Sequence, residues 1–488
     1  MNLQRIKSAT KISASTLAVF SRTALAVALA ATWPSQLLAQ ASPELIEEVI
    51  TVGTRIQEGR SVADSLVPVD VVSGADFSNQ GATDLDTLLA NLVPSYNVNQ
   101  QAISDTATFV RPAQLRGLPP DTTLVLVNGK RRHRAAVITL LGGGVADGAQ
   151  GPDISTIPTI ALKQVEVLRD GAAAQYGSDA IAGVINFELK DYAEGGSIEA
   201  RVGQYFEGDG DSYDLAANWG LPLGNNGFVN FSFEYKESDT TNRSQQRPDA
   251  QGLVDAGSPH RYAAGQYITN PNYADVFHPN VMIWGAPEFD HDYKFFANFG
   301  TSLTDNVEVY GHSNYAKRRV EGGFFFRHPH ARGSITTGPM VETEDPDNPG
   351  MMITVPTILV ADLDGMDKGG TCGIIRVFNN IPHLGDINDV LDDDNCESFV
   401  TRFPGGFVPR FGGEMDDRSL AVGVRGDLGN WHGDLSAVWG QHEAAFFMRH
   451  TINPQLLAKP GITVANIPTD YNPGAYTETD YTINLDLS

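Results

Sequence analysis

The chain has 488 residues, 41% of them hydrophobic, which is apolar material enough for about two to four domains and excludes disorder as its ground state. Its 34 basic against 59 acidic residues set a net charge of -25, which repels phosphate backbones and excludes nucleic acid as a partner. Past residue 41 no apolar run approaches the roughly 18 residues of a transmembrane helix, so a membrane can be crossed only by strands.

The first forty residues carry only Arg5, Lys7, Lys11 and Arg22 as charges, and Thr23 to Ala31 is an apolar run. This is a secretory signal pattern spanning 1–41. Ala39-Gln40-Ala41 puts small residues at the recognition positions, so cleavage is expected after Ala41, with the bond after Ala39 as the second choice. Export into an oxidising compartment lets Cys372 and Cys396, which share one polar stretch, form a disulfide; two free thiols or a pair of metal ligands are the competing readings.

Residues 42–63 form a short segment in which Glu48, Val49, Ile50, Thr51 and Val52 join an acid to β-branched residues, the composition of a strand without a partner. Such a strand can add itself to another protein's sheet edge or open the following domain. From 64 to 191 the pattern is mixed α/β. Val69 to Val72 is a strand, Ser73 to Gln80 is helical, and Asp84 stands as N-cap of a helix with Leu85, Leu88, Leu89 and Leu92 on one face. Thr123 to Val127 is a buried strand closed by the hairpin signal Asn128-Gly129, with a strand resuming near Arg131 to Arg134. Val165 to Leu168 and Gly183 to Leu189 are further strands flanking a helical turn at Ala172 to Tyr176.

Beyond Gly195 the period becomes two: Val229, Phe231, Phe233 and Tyr235, for example, alternate with Asn230, Ser232, Glu234 and Lys236. The pattern predicts about seven strands over 192–488. Pro222 to Asn226, Thr301 to Asn306 and Asp427 to Asn430 are brief links, whereas about fifty and about a hundred residues separate strands three from four and five from six. Short turns at one end and long loops at the other are the habit of outer-membrane barrels, with Tyr205, Trp219 and Trp431 as interface aromatics.

The motifs Glu48 to Val52, Pro68 to Gly74, Gly81 to Leu85, Leu115 to Leu118, Leu124 to Gly129, Val165 to Gly171 and Tyr176 to Asn186, in this order between an export signal and alternating strands, resemble the TonB-dependent receptors along essentially the whole mature chain. The resemblance implies a TonB box at Glu48 to Val52, a mixed α/β plug domain, and an antiparallel transmembrane β-barrel of twenty-two strands around it. With about seven strands the barrel is incomplete, the chain is expected to stop inside an external loop, and an open curved sheet is expected from a fragment or truncated product. Arg116 and Arg169 look like the plug arginines that pair with barrel carboxylates, for which Glu199 and Glu234 face the lumen by period.

The resemblance further implies TonB-dependent import of a scarce ligand across the outer membrane of a Gram-negative bacterium. An iron-siderophore complex leads, with cobalamin, haem, nickel and oligosaccharides as alternatives. Expected partners are TonB, that ligand and outer-membrane lipids; no cofactor, resident metal or enzymatic activity is expected. Gly142 to Gly144 lacks the Gly-Lys-Ser/Thr of a phosphate loop, and His328-Pro329-His330 and Asp392 to Asp394 read as solvated loop residues. A non-transporting surface-binding protein would share the strands without needing the plug.

Overall fold

A computed structural model describes residues 49–50, 52, 60–61, 68–80, 84–98, 109–139, 144–243, 285–323, 337–362, 372–379, 381–399, 409–453, 455–456, 459–463 and 466–488. The expected signal segment 1–41, Glu48, Thr51, Gly142-Gly143 and His328 to His330 lie outside these described residues.

Two short strands come first, β1 (Val49–Ile50) and β2 (Arg60–Ser61), paired antiparallel. The plug follows: β3 (Val69–Ser73), α1 (Gly74–Ser78), α2 (Leu85–Leu92), β4 (Tyr96–Asn97), β5 (Gln114–Leu115), β6 (Thr123–Val127), β7 (Lys130–Arg131), β8 (Leu162–Leu168), α3 (Ala173–Tyr176) and β9 (Gly183–Leu189). Its sheet runs β3-β8-β9-β6-β7 and is mixed, because β6 and β9 pair in parallel while the other neighbours are antiparallel. β6 is buried throughout, as its unbroken Thr-Leu-Val-Leu-Val run requires. Leu88, Leu89, Leu115, Ile154, Val165, Val167 and Phe187 form the main core. Ser73 caps α1 with a reciprocal Ser73/Asp76 capping box.

Asn128 and Gly129 turn the chain from β6 into β7 with φ of 48° and 73°, the left-handed pair that a two-residue hairpin demands. The expected strand at Arg131 to Arg134 is cut short: paired residues end at Arg131, Arg132 N–H still donates to Val125 O at 3.0 Å, and the backbone then leaves the sheet, with Arg134 N–H turned to Asp480 Oδ2 at 3.0 Å. Asp84 occupies the N-cap position of α2 but makes no capping bond; its carboxylate is turned instead to Lys236.

Eight antiparallel strands, not seven, make the second sheet: β10 (Gly196–Gly203), β11 (Ser212–Leu223), β12 (Gly227–Ser238), β13 (Glu288–Thr304), β14 (Val307–Gly323), β22 (Arg410–Leu428), β23 (Trp431–Arg449) and β24 (Tyr471–Leu487), each paired with the next. The eighth, β24, occupies what was expected to be an external loop. Its first half hides the alternation, with Pro473-Gly474 suggesting a turn and Thr477 and Thr479 standing where apolar residues would signal a face. The order is linear, so β10 and β24 each have a neighbour on one side, and the barrel is incomplete.

Burial along these strands is inverted relative to a soluble sandwich. Leu215, Trp219, Phe231, Phe233, Phe295, Leu420, Val422, Val424, Leu435, Ile483 and Leu485 are exposed, while Asn218, Asn230, Glu234, Lys294, His312, Asn314, Arg318, Asp417 and His442 are buried. A wall with its apolar residues outside and its polar residues inside is stable only where the outside is lipid and the inside is filled. The plug supplies that filling: Phe296 of β13 joins the plug core, and Phe109, Val110, Ala135 and Val137 pack against Val320, Met415 and Ala444 of the wall. Trp219 and Trp431 stand on the outer face near the short-turn end, whereas Tyr205 lies past β10 in the link to β11.

Between β14 and β22 the long loop carries elements of its own: β15 (Val341–Glu344), β16 (Met352–Val355), β17 (Thr357–Ile358), β18 (Ala361–Asp362), β19 (Ile375–Phe378), β20 (Ile381–Pro382), α4 (Leu384–Leu391) and β21 (Cys396–Glu397). Ile358, Ile375, Val377, Ile387 and Phe399 make a separate small core that Ile452 and Ile467, from the β23–β24 loop, complete.

Candidate functional site

The strand β1 pairs Val49 with Ser61 and Ile50 with Arg60, so the candidate TonB-box strand is zipped to its own downstream chain. Val52 follows, buried among Val69, Leu124, Leu126, Leu168 and Val184, and its backbone N–H donates to Glu166 Oε2 at 3.1 Å.

Arg116 and Arg169 do not reach the wall. Arg116, held at φ 55°, donates to the carbonyls of Ile181 at 2.6 Å and Ala182 at 3.0 Å and lies 3.9 Å from Asp170; Arg169 pairs with Asp70 at 2.7 Å. Both are partly exposed and find their ion-pair partners within the plug, and among the described residues neither meets Glu199, Glu234 or another wall carboxylate. Glu199 and Glu234 do face inward, with other plug partners. Glu199 accepts from Ser78 Oγ at 2.9 Å, and Glu234 takes Thr159 N–H at 3.1 Å while bonded to Lys294 at 2.5 Å. Cys372 and Cys396 are joined by a disulfide in the long loop. Asp393 caps its own turn by accepting Asn395 N–H, and no cluster of three or more metal-ligating side chains occurs among the described residues.

The largest group of plug-to-wall ion pairs comes from a run that sequence reading passed over, Lys130-Arg131-Arg132-His133-Arg134 on the hairpin after β6. Arg132, almost fully buried, donates to Asp417 Oδ1 at 2.5 Å, to Asn314 Oδ1 at 2.8 Å, to Ser419 Oγ at 2.9 Å and to Thr156 Oγ1 at 3.2 Å. His133 Nε2 meets the other Asp417 oxygen at 2.7 Å. Burial pushes the His133 imidazole down from its usual range, and Arg132 adds to this against the pull of Asp417. A carboxylate oxygen only accepts, so the ring donates its Nε2–H to Asp417. Gly440 on β23 makes the approach possible, since a Cβ there would lie 2.2 Å from His133 Nδ1. Lys130 reaches Asp434 at 3.1 Å, and the more exposed Arg134 reaches Glu478 at 3.1 Å.

A second buried contact has the opposite polarity. Plug Asp153 accepts from wall Arg318 at 3.0 Å and from Arg111 N–H at 3.0 Å, with His442 at 3.8 Å. Burial alone would push its carboxyl up, but the Arg318 guanidinium, with His442 and Ser155, holds it well below the usual carboxylate range. His442 also accepts Ala136 N–H at 3.1 Å through Nδ1. The plug thus gives a cation, Arg132, to Asp417 and an anion, Asp153, to Arg318, an arrangement that fixes its register in the lumen. A signal did exist in the sequence: five consecutive basic side chains in a chain of charge -25 are conspicuous, although nothing local names their partners.

Residues 61–184 match the TonB-dependent Receptor Plug Domain family. The chain is 27% identical over 297 residues to the vitamin B12 transporter BtuB of Vibrio cholerae, a match covering 60% of this chain and 41% of the transporter, so it spans well under two thirds of its curated relatives' length. Among solved structures, the siderophore receptor PirA of Acinetobacter baumannii is 17% identical with a TM-score of 0.43, covering 87% of this chain and 45% of PirA. The ferric preacinetobactin receptor BauA of Acinetobacter baumannii is 11% identical with a TM-score of 0.39, covering 88% and 56%. Residues 61–184 are thus a TonB-dependent receptor plug domain, lodged behind a wall of antiparallel, apolar-faced strands.

Proposed function

We propose that this chain serves TonB-dependent import of a scarce ligand, an iron-siderophore complex first, across the outer membrane of a Gram-negative bacterium. In this reading residues 1–41 are an export signal, 42–63 the TonB box and its linker, 64–191 the plug and 192–488 barrel wall with external loops. The observation that carries it is the docked strand β1 ahead of a plug held by buried ion pairs against a wall whose outer face is apolar. TonB would pair with Glu48 to Val52 by strand addition, taking the edge that Arg60–Ser61 now occupies. The long loops carry ligand selection, and the buried pairs keep the plug seated until it is pulled.

Cobalamin is the second reading, because the curated relatives at 27% identity are named as vitamin B12 transporters. The test is accumulation of a radiolabelled ferric siderophore and of radiolabelled cobalamin in cells with and without the gene, each with and without a protonophore. Uptake of one ligand that needs both the gene and an energised inner membrane is expected. Gene-dependent uptake unaffected by the protonophore, or no gene-dependent uptake of any ligand class, would overturn the reading.

A further inference from the structure

Glu166 lies in the middle of β8 and is fully buried, yet it is a carboxylate in a strand whose neighbours Val165, Val167 and Leu168 are apolar. Among the described residues three donors converge on it: Val52 N–H at 3.1 Å and Asn186 Nδ2 at 3.4 Å on one oxygen, and Gln164 Nε2 at 2.8 Å on the other. Val52 is the last residue of the coupling segment. The contact therefore joins residues 114 positions apart, and it ties that segment to the central sheet of the plug.

We propose that Glu166 is the positioning residue that holds the coupling strand docked on the plug and releases it at small cost, an inference that rests on the transport reading above. The chemistry fits a clamp built to open. An acceptor-only carboxylate matches three N–H groups, and a hydrogen bond to a charged group is stronger than one to a neutral group. A buried carboxylate also carries a desolvation penalty that is relieved once the strand leaves and water enters. An aliphatic residue at 166 would leave Val52 N–H unsatisfied; an amide would bring N–H groups into a pocket already furnished with donors. Asn186 extends the clamp: its Oδ1 accepts Gly129 N–H at 2.9 Å, and neighbouring Asn128 bonds Asn298 of the wall at 3.1 Å. Glu166 is thus one side chain removed from the hairpin that carries Arg132 and His133.

The test uses the full chain in detergent with Thr51→Cys carrying a nitroxide label, the two native cysteines being disulfide-bonded. Glu166→Gln and Glu166→Ala are expected to convert an immobilised spectrum into a mobile one and to tighten capture of a TonB periplasmic domain by about ten- to a hundredfold, the factor matching loss of a charge-assisted bond of about 1.5–3 kcal/mol. Glu166→Asp should restore part of the immobile signal. Hydrogen exchange at Val165 and Val167 reports whether the plug sheet is still folded. If it is not, Val52→Pro, which removes the donor and leaves the carboxylate in place, must give the same mobility. An immobile label in a folded Glu166→Gln or in Val52→Pro overturns the clamp, and does so even if TonB is captured normally. A label that is freed while no form captures TonB upholds the clamp and removes the transport reading.

Discussion

Asp417→Ala is expected to destabilise plug seating by about 3–5 kcal/mol, the range for breaking a buried ion pair from one side. Asp417 is buried against Arg132 and His133, and Asn314 donates to it at 2.6 Å. Without it the Arg132 guanidinium keeps only neutral partners, Asn314, Ser419 and Thr156, in a site closed to water. Hydrogen exchange at residues 130–134 under increasing denaturant reads the loss directly. The double variant Asp417→Leu with Arg132→Leu should recover most of it, because replacing both members of a buried pair by apolar groups leaves no charge stranded. Additive losses in the double variant would mean that the pair does not couple plug to wall. The exposed pair Arg134 with Glu478 is the contrast: its removal should cost about 1 kcal/mol or less.

Val422→Arg is expected to cost about 2–4 kcal/mol in a bilayer, the penalty for a cation among lipid chains near the midplane. Val422 sits on the outer face of β22 between Leu420 and Val424, and its register partners are Gly311 and Ala437, which leave no neighbouring carboxylate to pair with. On a water-facing sheet the same change at a 40% exposed position should fall within about 0.5 kcal/mol. Guanidinium unfolding from liposomes, compared between wild type and variant, separates the two. A null effect would place the outer face in water and remove the membrane reading of the fold.

Alternation made most of the wall readable, because a strand facing lipid on one side and a polar lumen on the other writes its environment into every second residue, as from Val229 to Lys236. β24 escaped where Thr477 and Thr479 blur that contrast, although Tyr481, Ile483, Leu485 and Leu487 carry it clearly. Within the plug, Gly183 to Leu189 and the Asn128-Gly129 turn were legible from local chemistry alone. The partners of the plug charges were not. Arg132 and Asp417 are 285 positions apart, and a single sequence holds no trace of which distant side chains meet. Arg116 and Arg169 stand out by resemblance and contact Ile181, Ala182 and Asp70 inside the plug, while the basic hairpin behind Gly129 reads in sequence only as a strand.

Under the proposed import function, the segment at Glu48 to Val52 is taken up by TonB as an added strand. The most direct measurement is a binding isotherm of the full chain in detergent with the periplasmic domain of TonB, for the wild type and for Ile50→Pro, which cannot supply the backbone N–H that a new ladder needs. Saturable binding by the wild type and its loss in Ile50→Pro are expected, with the plug's hydrogen-exchange protection unchanged. Equal binding by both chains, or none by either, would contradict that uptake.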